Sequence, residues 1–410
     1  MDDFQTNLVQ CAASARNISI KSIASPTFSL THYGITHHFV RHRPDTLSFF
    51  SRQVTNSKAL TKAFLRQAGI PTPNGRLFDP EQLEEAWEYA RKLESAVVVK
   101  PLTGSSGKGV TANIRDWDHF CLAWKQVPEG QRVIIEEHIE GQDYRVVVIG
   151  KSHAGTALRR PARIIGDGRS TISQLIDQKR SERSQNPFVA DADFELTSNM
   201  AFLLRCAGFD ENTVLPKGRT WQLHDIANIS AGGDTIDVST AIHPDFQDIA
   251  VRATYAVPGL RYSGVDLLVP DISKPAAGQK FAVIEVNSTP DLALHHYPME
   301  GSSRDLNGAL LEDMFPTARI VPPAQWVGKT MTVEFDGNFD RFTEDLKLHV
   351  FQNCAAGSLT RTGDRTGMIE VAAPSHSCAR FVRRVRSMLG TKVDVSPWDG
   401  APPPRFVFSA

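Results

Sequence analysis

Lys100 ends a run of three valines, and the residues after it, Thr103-Gly104-Ser105-Ser106-Gly107-Lys108-Gly109, are small, polar and basic. Glycine lets backbone N–H groups approach an anion closely, and lysine supplies the charge, so the chemistry this stretch suits is polyphosphate recognition. A P-loop would need G-x-x-x-x-G-K-[ST]. Here Leu102 occupies the first glycine position and Gly109 follows Gly107-Lys108. The stretch is a phosphate site of another type. Lys100 emerges from an apolar strand, where an unpaired ammonium is costly to bury, so it needs an anion. Lys58 lies in a separate element and is expected to meet the phosphates from another side.

Two further stretches carry acids in apolar surroundings. In "VIIEEHIEGQDYRVVVIG" (133–150) an apolar strand, two glutamates, a turn and a second strand form a hinge. Adenine could be met there by backbone groups near Glu136, and Asp143 could accept a ribose hydroxyl; an exposed strand end is the simpler reading of Glu136-Glu137. In "FAVIEVNS" (281–288) Glu285 and Asn287 are two apart and share one strand face, expected also to carry Phe281 and Val283. Asp266 sits in another apolar strand, "YSGVDLLV" (262–269). A carboxylate in such a place needs a cation or donors. Asp266, Glu285 and Asn287 together make a hard oxygen set suited to Mg²⁺; a buried structural network is the competing explanation.

These residues must be positioned by a sizeable scaffold. The chain has 410 residues, 41% of them hydrophobic, and a net charge of −1, enough for two or three domains and with no global field pointing to nucleic acid or an anionic membrane. Locally, 151–183 holds eight Lys/Arg against three acids, which hints at an anionic substrate, with a solvated helical face as the default reading. Five scattered cysteines with no C-x-x-C pair imply neither a disulfide framework nor a structural zinc site. No signal-like segment or long apolar run is apparent, so a cytoplasmic protein is expected. A hairpin turning at Tyr33-Gly34 is expected within 28–50. A helix is expected over 57–69, with Leu60, Phe64, Leu65 and Ala68 on its apolar face, and another over 80–95. Strands are expected at 97–100, 132–136, 144–149, 222–226, 262–269 and 281–287. After a linker at 321–330, the order strand, helix, strand, strand, helix, strand over 331–400 predicts a ferredoxin-like βαββαβ unit. The fold class is α+β, with an N-terminal segment over 1–50 and the main domain over 51–320.

Six stretches in register, "KALTKAFLRQAGIPTP", "VVVKPLTGSSGKGVT", "EEHIEGQDYRVVVIG", "RRPARIIGDGRSTISQLI", "ANISAGGDTIDVS" and "YSGVDLL...VIEVNSTPD", resemble the ATP-grasp superfamily of carboxylate–amine ligases, most closely the ATP-grasp domain of cyanophycin synthetases. The resemblance runs from about Phe28 to about Asp305. It implies ATP held between two antiparallel sheets, with Lys58 and Lys100 at the phosphates and the adenine edge. It also implies a lid from Gly104 through Ser105, Ser106, Gly107 and Lys108 to Gly109. Glu136 and Ile139 would meet adenine, Asp143 the ribose, and Asp266, Glu285 and Asn287 would hold Mg²⁺. Arg160 and Asn228 match positions near the transferred phosphoryl group. The implied activity is amide or peptide bond formation through an acylphosphate, on amino-acid or peptide substrates, with no nucleic acid or membrane partner and homo-oligomerisation left open. A kinase that stops at phosphorylation and a non-catalytic ATP-binding module are the rival readings.

The departures bear on the substrate. Cyanophycin synthetases carry a further N-terminal domain and a C-terminal Mur-ligase-like domain that this sequence does not match, so growth of a polymer by two alternating ligations is not expected. After the metal strand, "NSTPDLALHHYP" has Asp291 where the family usually has glycine, in a region bordering the acceptor site. The His295-His296 pair reads as ordinary surface. The terminal unit resembles acylphosphatases in element order, but their phosphate-loop signature is absent and Arg361 stands in place of their catalytic asparagine. A structural or substrate-capping role is expected of it.

Overall fold

The computed structural model describes every residue except 1–3, 103–108, 191–193, 195–199, 201–203, 206, 224–226, 228, 230–231, 336–338, 390–392, 402, 404–405 and 410. Contacts divide the chain into two compact units, Met1–Leu47 with Asp305–Ala410, and Ser48–Arg304. Among the described residues no helix is long and apolar enough to cross a membrane.

The central unit is built on two antiparallel sheets. The larger runs in the order Asp234–Asp237, Ser152–Arg160, Gln142–Ile149, Tyr262–Val269, Ala282–Asn287. The smaller runs Gly75–Phe78, Val133–Glu137, Val97–Pro101, Thr111–Ile114. Alternation explains the smaller sheet: Val97, Val99, Val133 and Ile135 turn inward onto Phe120, Ala86 and Ala90. The helices that cover it are marked at their ends. Leu83–Lys92 has Glu84 and Glu85 in its first turn and Arg91 and Lys92 in its last, matching the helix dipole. Trp117–Gln126 is capped by Asp116, whose carboxylate accepts from the His119 N–H at 2.8 Å.

Helix Lys58–Gln67 departs from the expected apolar face. Its buried residues are Thr61, Lys62 and Leu65, whereas Leu60 is 48% exposed. A lysine therefore sits where periodicity called for leucine. Strand Ala282–Asn287 departs too. Asp266 pairs with Glu285 but Leu267 pairs with Val283, so Ile284 is an extra, bulged residue. The bulge puts Val283 on the opposite face from Glu285, not the same one, and Val283 is fully buried there.

In the terminal unit, strands Ser19–Ala24, Thr27–His32, Ile35–Val40 and Arg43–Pro44 form a meander. Its central turn has positive φ at both Tyr33 and Gly34, the geometry a two-residue hairpin needs. The second sheet runs Val393–Pro397, Val327–Glu334, Thr366–Ala373, Ala356–Arg361, Val407–Ser409, a ferredoxin-like order with one added edge strand. Helices Phe339–Gln352 and Ser375–Leu389 close its core with Phe342, Leu346, Phe381 and Val385. The buried Arg16 guanidinium bridges Asp305 and Glu312, each at 2.9 Å, and ties the first helix, Phe4–Ala15, to Leu306–Met314.

Candidate functional site

The first cluster forms where helix Lys58–Gln67 faces the smaller sheet. Val98 lies opposite Glu136 in the ladder, so Lys100, two residues on, shares that face. Its ammonium donates to Glu136 Oε2 at 2.7 Å, and Lys62 Nζ donates to the other oxygen. All three are buried. Burial alone would raise the Glu136 carboxyl, but Lys100 and Lys62 hold it below the usual carboxylate range. Burial, and then the neighbouring Lys100, push Lys62 down to about 8. Lys58, one turn earlier on the helix, is also lowered by burial and by Lys100, with Glu285 and Glu136 opposing. Two buried ammoniums, Lys62 and Lys100, thus share one carboxylate, Glu136, with Lys58 in electrostatic reach, a local excess of positive charge suited to polyphosphate.

The second cluster lies on one face of the larger sheet. Asp237, Ala157, Arg145, Asp266 and Glu285 sit opposite one another in a single row across all five strands. Asp266 is held by two guanidiniums: Arg145 binds both its oxygens, at 3.0 Å to Oδ2, and Arg159 Nη2 lies 2.9 Å from Oδ2. Arg159 also donates to Asp143 Oδ1 at 2.9 and 2.6 Å. Against the pull of burial, the two arginines keep Asp266 below its ordinary range. Asp143 is raised, burial outweighing Arg159. Glu285 differs from both. It is half-buried, makes no hydrogen bond or ion pair among the described residues, and is raised by burial and then by adjacent Asp266. Beside it, Asn287 has a buried amide nitrogen with no partner among the described residues. The uncommitted carboxylate of Glu285 next to the like charge of Asp266 fits a hard divalent cation, and the Asn287 side chain, which shares its strand face, could add its amide oxygen. Asp266 would contribute from behind its arginines; among the described residues no three His, Cys, Asp or Glu side chains converge as a metal set by themselves.

Lys58, Lys100, Glu136, Asp266 and Glu285 are therefore brought within electrostatic reach of one another. Asp143 joins them through Arg159. Ile139 is buried just beyond the Glu136 strand. Arg160 pairs with Glu300 at 2.9 Å on the exposed side. Gly109 has φ of +71°, a left-handed conformation that favours glycine where the loop returns to its strand. Gly104, Ser105, Ser106, Gly107, Lys108 and Asn228 lie outside the described residues.

Three participants were not anticipated: Lys62, Arg145 and Arg159. Each left a signal. Lys62 is four residues from Lys58 and so on its helix face, and Arg145 is two from Asp143 on an otherwise apolar strand. The basic stretch 151–183, read as facing an anionic substrate, is instead largely paired within the protein. Lys179 binds both oxygens of Asp234, at 2.9 and 2.8 Å, and Arg183 donates to the carbonyls of Gly233 and Ile229. The expected surface pair His295-His296 is also corrected. His295 is 1% exposed, neither ring nitrogen has a partner among the described residues, and burial followed by Arg145 pushes it down to about 3.

The family model described as "ATP-grasp domain" matches residues 55–291. Cyanophycin synthetase of Trichormus variabilis is 33% identical over 293 residues, 69% of this chain and 32% of that protein. The glutathione biosynthesis bifunctional protein GshAB of Streptococcus mutans is 32% identical over 276 residues, 63% of this chain and 35% of that protein. Among solved structures, a bifunctional glutathione synthetase from Pasteurella multocida superposes with a TM-score of 0.56 at 26% identity, covering 74% of this chain and 43% of that one. The chain spans about one third of the length of the curated relatives it matches.

Proposed function

The chain belongs to the ATP-grasp family, and on that premise we propose that it uses ATP to join a carboxylate, of an amino acid or short peptide, to an amine. The observation that carries this reading is the pairing of two clusters of opposite surplus. Lys62 and Lys100 share the carboxylate of Glu136, and Glu285, without a hydrogen bond or ion pair among the described residues, lies within electrostatic reach of Lys58 and Lys100. A nucleotide polyphosphate suits the first, and a divalent cation on its terminal phosphates suits the second.

In this reading Lys58 and Lys100 take the phosphates. Glu136 and Lys62 act as positioning residues that fix the Lys100 ammonium. The chain near Glu136 and Ile139 takes the adenine edge, and Asp143 the ribose. Mg²⁺ would be held by Glu285 and Asn287, with Asp266 adjoining, and would neutralise charge on the terminal phosphates. A substrate carboxylate oxygen attacks the terminal phosphorus while the bond to ADP breaks. The amine nitrogen then attacks the acyl carbon, phosphate leaves with the C–O electron pair, and the nitrogen loses a proton. Charge spreads over the transferring phosphoryl oxygens, so the cation of Arg160 and a hydrogen bond donated by the neutral amide of Asn228 would lower the barrier.

The test is phosphate release from ATP with amino acids offered singly and in pairs, with mass detection of the product. Phosphate release that requires both a carboxylate and an amine, with a product heavier by their condensation, supports the ligase. ADP formation independent of any amine, with a phosphorylated product, would identify a kinase instead.

A further inference from the structure

The terminal unit contains a cavity of about 530 Å³ between strand Ser19–Ala24 and helices Phe339–Gln352 and Ser375–Leu389. Among the described residues its charged lining is of one sign: Lys21 from the strand, and Arg380, Arg383 and Arg384 from the last helix. Spacing explains the cluster. Positions 380, 383 and 384 fall on one side of the helix, flanking the face that buries Cys378, Phe381 and Val385 in the core. Two of the arginines are held in place by specific bonds. Arg384 Nε donates to His349 Nε2 at 2.9 Å, and Arg380 Nη2 donates to Gln10 Oε1 at 2.7 Å. Accepting at Nε2 makes His349 a neutral ring that orients the guanidinium without adding charge. Lys21, Arg383 and Arg384 enter no ion pair among the described residues.

A second observation points to a ligand. Asn353 also lines the cavity and is 1% exposed. Its amide nitrogen donates to the His349 carbonyl at 2.7 Å, which fixes the amide orientation, and its Oδ1 is buried with no partner among the described residues. A buried acceptor left unpaired is costly, and a hydroxyl from a bound molecule would satisfy it.

We propose that this cavity is a ligand site in its own right, distinct from the nucleotide site, for a small hydroxylated polyanion. Two or more carboxylate or phosphate groups lie against the guanidinium forks and Lys21, whose donors match both kinds of oxyanion. One hydroxyl donates to Asn353 Oδ1. Nothing in the ligase chemistry uses these residues.

The experiment titrates the full chain calorimetrically, at low ionic strength and without Mg²⁺, with three probes: citrate, tricarballylate, which is citrate without its hydroxyl, and fructose 1,6-bisphosphate. Saturable one-to-one binding of citrate identifies a hydroxy-polycarboxylate source, and binding of the bisphosphate alone a sugar-phosphate source. Tricarballylate should bind at least tenfold more weakly than citrate if citrate binds; equal affinity refutes the hydroxyl contact. Arg383→Glu and Lys21→Glu, both at exposed positions, should each weaken the bound probe at least tenfold and leave ATP affinity unchanged. The imidazole resonance of His349, assigned with His349→Gln, should shift on adding the bound probe to the parent. No saturable binding of citrate or bisphosphate at millimolar concentration overturns the proposal. So does loss of probe binding in Lys100→Ala, which would put the anion at the nucleotide site.

Discussion

The two charged clusters of the central unit use the same materials in opposite proportion. On the smaller sheet, two ammoniums share the carboxylate of Glu136, with Lys58 within electrostatic reach. On the larger, two guanidiniums face three carboxyl groups, Asp143, Asp266 and Glu285. Neither cluster is balanced by itself. The choice of cation also differs. Lysine is a point charge on a flexible stem and can follow phosphates, whereas arginine forks lock Asp143 and Asp266 in place. The two clusters thus divide their work: in the first the bound lysines outnumber their carboxylate, and in the second the arginines fix Asp143 and Asp266 and leave Glu285 without a partner among the described residues.

The largest effect should come from emptying the lysine cluster of its counter-charge. Glu136→Leu leaves Lys62 and Lys100 buried without it and should destabilise the protein by about 3 kcal/mol or more. Urea unfolding measures this, and a loss under about 1 kcal/mol would mean that the lysines find solvent or another partner. Next is the open carboxylate. Glu285→Ala should lower phosphate release at least about a hundredfold, the scale of one main electrostatic contribution to a transition state. Glu285→Gln should fold normally and still fail. If Glu285→Gln turns over at the parent rate and keeps the parent's thermal stabilisation by Mg²⁺–ATP, the cation assignment is wrong. Lys100→Ala should weaken ATP binding by more than tenfold, about 1.4 kcal/mol, in calorimetry. Unchanged affinity would remove the phosphate role from that lysine.

The smallest effect concerns His295, which faces Arg145, Asp237, His153 and His296. Its folded-state value is about 3 against an ordinary 6.5, so between those values the unfolded chain binds the extra proton. Its contribution is complete above about pH 6.5 and is lost as pH falls toward 3, by at most about 1.4 kcal/mol per pH unit. His295→Leu should flatten that part of the profile when unfolding midpoints at about pH 7 and about pH 5.5 are compared. Parallel profiles for the two proteins would count against a buried neutral ring.

Much of the scaffold was legible because it rests on local pattern. Strand Tyr262–Val269 and helix Ser375–Leu389 have the bounds that periodicity suggests. Lys100 stood out because three valines precede it. Lys62 did not, since a lysine between Thr61 and Ala63 reads as solvated, and only packing against Glu136 reveals which side of the helix turns inward. The bulge at Ile284 was equally hidden. Strict alternation would put Val283 beside Glu285, and the register that prevents it depends on a strand fourteen or more residues away in sequence. His295 was misread for a related reason: two adjacent histidines have no period, so nothing local marks one of them for burial.

The short strand Val407–Ser409 pairs in parallel with Ala356–Arg361 at the margin of the terminal sheet. Its three residues take up hydrogen-bonding groups that Ala356–Arg361 would otherwise offer to a strand of a neighbouring molecule. Phe408 also packs against the core, so the strand covers that edge and adds to the stability of the unit. A chain shortened before Val407 should melt at a lower temperature, through loss of Phe408, and also associate as its concentration rises, which light scattering well below that melting temperature would register.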